Sequence, residues 1–331
     1  MGIDYRSEIE RLKRELSVTV AAHFYQIDEV FEMADITGDS LELARRLIDD
    51  ESEWVVFCGV GFMGQSVKVV APHKRVLMPK LAECAMARMI DASYFDDSIE
   101  WMESRGVDRE DILPVTYINS DAVIKAKVGK MGGLVCTSSN AEKIISRALE
   151  SGKKIFFVPD RCLGQNIADK MGLKACIAGD EGADPKEADI VCFDGFCSVH
   201  QLFTLSDIAF YRERYPDILI AVHPECDPEI VRASDFSGST SQLIEFVKGL
   251  DPDTKVAVGT EYNMVKRLRP KNTYILSSTK PECPTMNETT LPDLYDVLKS
   301  IEDGEPKNEV FVDEDTVHYA REALERMLEI R

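Results

Sequence analysis

Apolar runs that end in polar pairs recur along this chain at wide intervals. The run at 18–22 ends in His23-Phe24-Tyr25, the run at 112–116 in Tyr117-Ile118-Asn119, and the run at 218–222 in His223-Pro224-Glu225. Continuous short apolar runs predict strands buried on both faces, as in parallel sheets covered by helices. A strand's period of two puts residues i and i+2 of each tip on one side. Paired hydrogen-bonding groups at strand carboxyl ends are what ligand sites in open α/β sheets use.

The pattern after each tip also repeats. A segment opening a helix with Ser or Thr follows at Gly38-Asp39-Ser40, Cys136-Thr137-Ser138 and Gly238-Ser239-Thr240. A further apolar strand is predicted at 54–58, 155–158 and 256–258, and a fourth running to a cysteine at 75–84, 189–197 and 273–283. Helical periodicity precedes each first strand, at 5–16, 98–105 and 205–215. An acidic loop at 179–187 lengthens the middle unit. A period of roughly 100 residues is too long for a solenoid and predicts similar domains instead. The expected fold class is α/β: three similar three-layer αβα domains, each with a four-stranded mainly parallel sheet. Their expected extents are 1–86 with 287–331, 87–198, and 199–286. Residues 291–301 repeat the helix that precedes a first strand, yet no fourth unit follows, so the segment from Asn287 is expected to fold back onto the first domain.

Composition narrows the function classes. The 331 residues are 44% hydrophobic and 30% charged, ordinary for a globular protein. No run approaches the ~18 apolar residues of a membrane span, and the charged start is no signal peptide. A net charge of −20 argues against nucleic acid or an anionic membrane as partner. Nine cysteines without a secretory signal or any C-x-x-C read as cytoplasmic thiols or metal ligands, not a disulfide framework. Cys84, Cys197 and Cys283 occupy equivalent places, one per unit. Around a pseudo-threefold axis they would meet at one point, where three thiolates suit zinc or an iron–sulfur cluster. The other six read as core or incidental residues.

The ordered motifs resemble those of the quinolinate synthase family. They are A-H-F-Y-Q from Ala22, G-D-S from Gly38, C-A-M-A from Cys84, Y-I-N-S from Tyr117, C-T-S-S-N-A from Cys136 and P-D-R-C-L-G from Pro159. After these come C-S-V-H-Q from Cys197, V-H-P-E-C from Val222, G-S-T-S-Q from Gly238, G-T-E from Gly259 and the stretch around Cys283. Ala85 stands where the family pattern has proline. The resemblance implies three αβα domains in pseudo-threefold arrangement with the active site at their junction. It implies a 4Fe–4S cluster held by Cys84, Cys197 and Cys283, with one iron site open. It also implies condensation of iminosuccinate with dihydroxyacetone phosphate to quinolinate, with release of phosphate and two waters, as a step of NAD biosynthesis. Coupling to an iminosuccinate-producing aspartate oxidase or dehydrogenase would accompany that role.

Such substrates carry several negative charges, so local donors must offset the acidic protein. Helix starts near Ser40, Ser138, Ser239 and Thr240 offer backbone N–H groups and the positive end of the helix dipole. His23, Tyr117, Ile118, Asn119, His200, His223, Pro224 and Glu225 are the expected substrate contacts. Glu225, Tyr25 and His23 are the candidates for proton transfer.

Two other classes have sequence support. Gly59-Val60-Gly61-Phe62-Met63-Gly64 matches a dinucleotide fingerprint between strand and helix, with Glu83, beside Cys84, near the place about twenty positions on where such a fingerprint has its acidic residue. Cys197-x-x-His200 and His223-x-x-Cys226 could serve a non-catalytic metal protein.

Overall fold

The computed structural model describes residues 3–268 and 271–330. Its strands form three separate, wholly parallel sheets. The first contains β1 (Val18–His23), β2 (Ile36–Gly38), β3 (Trp54–Cys58) and β4 (Arg75–Leu77), in the order β2-β1-β3-β4. The second contains β5 (Ile112–Tyr117), β6 (Leu134–Cys136), β7 (Lys154–Val158), β8 (Ala175–Ile177) and β9 (Ile190–Cys192), in the order β6-β5-β7-β9-β8. The third contains β10 (Leu219–Val222), β11 (Phe236–Ser237), β12 (Val256–Gly259) and β13 (Thr273–Ile275), in the order β11-β10-β12-β13.

All three sheets therefore share one core order, with the first strand between the second and the third. The chain leaves that strand to one side and returns on the other, so each sheet has its switch point there. Ligands in open α/β sheets bind outside the strand ends at that point. Every residue of β1 and β5 is buried, which is why both read as unbroken apolar runs.

Two details depart from the expectation of four-stranded sheets running to a cysteine. The middle sheet has five strands, because β8 adds an edge strand beside β9, pairing Ala175 with Ile190 and Ile177 with Cys192. The fourth strands stop well before the cysteines, at Leu77, Cys192 and Ile275. The segment after each cysteine is nonetheless built alike. Short 3₁₀ turns begin at Ala87, His200 and Met286, and helices begin at Ala92, Leu205 and Leu291, at one spacing from Cys84, Cys197 and Cys283.

The chain divides into two compact units. One comprises Met1–Cys84 with Cys283–His318, the other Ala85–Glu282 with Tyr319–Arg331. In the first unit, helices Tyr5–Leu16 and Leu291–Glu302 pack side by side on one face of the sheet. Ile9, Leu12, Leu294, Val297 and Leu298 close over Val18, Val20, Val56 and Cys58. Tyr5 meets Tyr295 edge-on at 5.5 Å, and Arg11 pairs with Glu302 at 2.7 Å. The chain then returns along β4, where Val310 N–H donates to the Val76 carbonyl at 2.8 Å. The last helix, Glu314–Glu329, divides: from Tyr319 onward it belongs to the second unit, where Arg326 donates to the Gly133 carbonyl at 2.9 Å. Among the described residues no helix is long and apolar enough to cross a membrane.

Candidate functional site

The strand tips take a common turn. In the first unit, Tyr25 N–H donates to His23 Nδ1 at 3.2 Å, and Gln26 N–H donates to the His23 carbonyl at 3.0 Å. In the second unit, Glu225 N–H donates to His223 Nδ1 at 3.3 Å, and Cys226 N–H donates to the His223 carbonyl at 3.0 Å. An Nδ1 that accepts a backbone N–H leaves Nε2 as the proton-bearing nitrogen, so both imidazoles present a donor at Nε2. Both histidines are buried, and the His23 ring stands edge-on to Tyr25 at 4.7 Å.

Beside the tips run the segments that open the next helices. Gly38 pairs with His23 and Cys136 with Tyr117, while Ser237 pairs with Val222 just before His223. The serines there hold different helix positions. Ser40 is the first residue of Ser40–Asp49, whose N-terminus is capped by Asp39. Ser138 lies before Ala141–Leu149, in a turn where Asn140 Oδ1 accepts from Thr137 N–H at 2.7 Å. Ser239 is itself a cap, in a capping box with Gln242, and Thr240 follows it, buried.

The second unit gathers five polar side chains around one carboxylate. Tyr117 O–H donates to Glu225 Oε1 at 2.5 Å, and His200 Nδ1 lies 2.9 Å from Glu225 Oε2. His200 Nε2 meets Thr260 Oγ1 at 3.0 Å, and the His200 and His223 rings stack at 4.5 Å. Burial opposes charge on Glu225, but His223, His200 and the Tyr117 hydroxyl outweigh it and hold the carboxyl down to about 2. Asp160 goes the other way. Burial and the neighbouring Glu225 charge raise it well above the ordinary value, and its Oδ2 has no hydrogen-bond partner among the described residues. Their surroundings thus drive the two buried carboxyls in opposite directions, Glu225 towards the charged form and Asp160 away from it.

The Cys197 loop is tied to the segment around Asp160. Arg161 N–H donates to the Gly195 carbonyl at 2.8 Å, and its guanidinium binds Asp194 at 2.7 Å and lies over the Phe196 ring at 4.8 Å. One residue thus fastens three successive positions before Cys197. Cys197, His200 and Glu225 place potential ligand atoms within 4.8 Å of one another. Both His200 nitrogens are already engaged, so an ion held there would have to displace the bond to Glu225 or Thr260.

Burial sorts the cysteines. Cys84, Cys197 and Cys283 are half-buried, as is Cys176 on the edge strand β8, whereas Cys58, Cys136, Cys162, Cys192 and Cys226 are buried. Burial pushes Cys58 and Cys162 up to about 12 and raises Cys136, Cys176, Cys192 and Cys226 as well. Burial thus disfavours the thiolate, the metal-ligating form, at those six. Cys226 also donates to the Gly259 carbonyl, which removes it from a His223–Cys226 metal pair.

The glycine-rich fingerprint has a structural occupant of its own. Helix Gly61–Val70 begins within it, but a Cβ on Gly61 would lie 2.6 Å from Glu83 Oε1. The Glu83 carboxylate therefore sits at the helix N-terminus, where a dinucleotide would place its pyrophosphate.

Thr260 and Asp160, which fall within G-T-E and P-D-R-C-L-G, also belong to the tips' surroundings, as do Asn166 and Lys125, which carry no local sequence signal. Three parallel sheets of one strand order, with histidine, tyrosine and glutamate side chains at their switch points, have the build of an α/β enzyme. The quinolinate synthetase A protein family matches residues 7–329. Curated quinolinate synthases are similar along nearly all of their length. That of Helicobacter pylori strain HPAG1 is 54% identical over 99% of this chain and 98% of its own. That of Streptomyces coelicolor is 40% identical over 94% and 84%, and that of Listeria innocua 38% over 98% and 93%. The chain belongs to the quinolinate synthase family and is an enzyme of that kind.

Proposed function

We propose that this enzyme condenses iminosuccinate with dihydroxyacetone phosphate to quinolinate, releasing phosphate and two waters. The observation that carries the reading is the Tyr117–Glu225–His200 cluster, a carboxylate held between two hydrogen-bonding side chains at the switch points of the second unit. Glu225 is the proton acceptor and later donor, oriented by Tyr117 and His200. His223 and His23 offer Nε2–H donors to substrate carboxylates or phosphate, joined by Asn119, Ser40, Ser138, Ser239, Thr240 and the backbone at Ile118 and Pro224. Tyr25, beside His23, serves as a second proton-transfer group.

Cys84, Cys197 and Cys283 are the ligands for a 4Fe–4S cluster. Their matching downstream turns support this choice, as does the burial that disfavours the thiolate at the other six. When bound, such a cluster supplies a Lewis-acidic iron for loss of hydroxide. The proposed domain extents are 1–86 with 287–331, 87–198 and 199–286, one sheet falling within each, while Tyr319–Arg331 goes with the second compact unit. A supply of iminosuccinate from an aspartate oxidase or dehydrogenase completes the proposal.

Anaerobically purified protein should contain iron and sulfide in near-equal amounts, show iron–sulfur absorption and form quinolinate from the two substrates. Zinc in place of iron, or no quinolinate, would overturn the assignment. Gly195 offers a more local test. A Cβ there would lie 2.5 Å from the Pro159 carbonyl, so Gly195→Ala must shift the loop carrying Cys197. The expected result is lowered iron per chain, with a stability loss of about 1–3 kcal/mol from overpacking. Unchanged iron content and melting would show that this close approach does not set the loop.

A further inference from the structure

Two strand tips in the second unit are held from behind in the same way. Lys125 Nζ donates to the Ile118 carbonyl at 2.8 Å and to the Ser120 carbonyl. Asn166 Nδ2 donates to the carbonyls of Pro224 and Cys226, at 2.8 Å each. Counted from Tyr117 and His223, these are the same two carbonyls of each tip, the second and the fourth. The donors have different origins. Lys125 comes from helix Ala122–Lys130, which follows its own tip, whereas Asn166 comes from helix Arg161–Met171, distant in sequence from the tip it holds.

Both side chains are buried, and Lys125 completely so. An apolar residue would fill either space without the cost of desolvating a polar group. Burial pushes the Lys125 ammonium down to about 7, against the pull of Asp121. Even as a neutral amine it keeps two N–H donors, enough for both carbonyls, so the hold does not depend on its charge. Further bonds complete the first tip: the Tyr117 carbonyl accepts from the Thr116 and Ser120 hydroxyls at 3.1 and 3.0 Å.

We propose that Lys125 and Asn166 are paired positioning residues, Lys125 aiming Tyr117 and Asn119 and Asn166 aiming His223 and Glu225. The inference rests on the reading of those tips as substrate-facing. Drawing the second and fourth carbonyls of a tip towards a helix fixes the peptide planes on either side of its third residue. The third residues are Asn119 and Glu225, whose side chains must be held close to their working geometry.

The test uses the cluster-loaded enzyme with Lys125→Met and Asn166→Leu, which keep volume and remove the donors, and Lys125→Arg, which restores donors. Lys125→Met should raise KM for dihydroxyacetone phosphate about tenfold or more, and Asn166→Leu should lower kcat about ten- to a hundredfold, the range for losing one or two buried hydrogen bonds. Iron per chain should stay at the parent value, and Lys125→Arg should recover most of the lost affinity. A purely structural role would reduce the amount of active enzyme and leave KM alone. Tyr117→Phe, Asn119→Ala and Glu225→Gln serve as controls for the site itself. If these controls are impaired while Lys125→Met and Asn166→Leu behave as the parent, the positioning proposal is wrong. If the controls are unimpaired, it is the site reading that fails, and the proposal with it. Failure of both neutral variants to fold would make the two residues structural and would also overturn it.

Discussion

Replacing Cys84, Cys197 or Cys283 singly by alanine is expected to abolish the iron–sulfur absorption and all quinolinate formation while leaving the protein folded. Each change removes one of only three proposed thiolate ligands, and two ligands do not hold a cluster stably. The fold should survive because the sheets are built without these residues: all three lie in loops beyond the fourth strands, half-buried. The other six cysteines form the control. Replacement of Cys58, Cys136, Cys162, Cys176, Cys192 or Cys226 should leave iron content at the parent value. The fully buried members pack in sheet cores, as Cys58 does beside Val20 and Val56, and their loss should cost about 1 kcal/mol or more. That cost appears in melting and not in the spectrum. Iron and sulfide analysis of the nine variants, with absorption spectra taken anaerobically, decides the matter. A bystander essential for iron, or a dispensable member of the trio, would remove the ligand assignment and the open iron site that depends on it.

Much of the architecture is written locally. The first strands are unbroken apolar runs because they lie at the centre of parallel sheets, and the polar tips mark where those strands leave the core. The tip histidines carry their own signal, since the residue two positions on supplies the N–H that fixes the ring. The ends of the fourth strands are less legible. The sequence from Arg75 to Cys84 stays partly apolar, yet Pro79 cannot donate to a ladder and the strand ends at Leu77. β8 is a three-residue, half-buried edge strand next to an acidic loop, and nothing in its composition separates it from that loop. The least legible residues are those that act at a distance. Asn166 reaches the carbonyls of Pro224 and Cys226 only because the second and third sheets fold together, and Thr260 reaches His200, 60 residues away, only through the fold of the third. The dinucleotide fingerprint misleads for the same kind of reason. Its helix N-terminus is occupied by Glu83, which the sequence places beyond the next strand and the fold brings against Gly61.

Glu225→Gln should keep the cluster and the fold while lowering turnover by roughly two or more orders of magnitude, the scale for a lost acid–base group. The two carboxylate oxygens now have separate partners, Tyr117 O–H on Oε1 and His200 Nδ1 on Oε2. A glutamine can present its carbonyl oxygen to only one of them. If that oxygen stays with Tyr117, the amide N–H₂ faces His200, which can respond by moving its proton to Nε2 and donating to Thr260 Oγ1. The network therefore has a way to remain hydrogen-bonded, and the expected stability change is small beside the kinetic one. What the amide cannot do is take up and return a proton at neutral pH. Single-turnover quinolinate formation, read alongside the cluster spectrum and the melting temperature, separates these effects. Loss of turnover with an intact spectrum and normal melting assigns proton transfer to Glu225. Turnover near the parent value would leave Glu225 as a residue that merely orients Tyr117 and His200, and the proton would then have to move through Tyr25 or His23 instead.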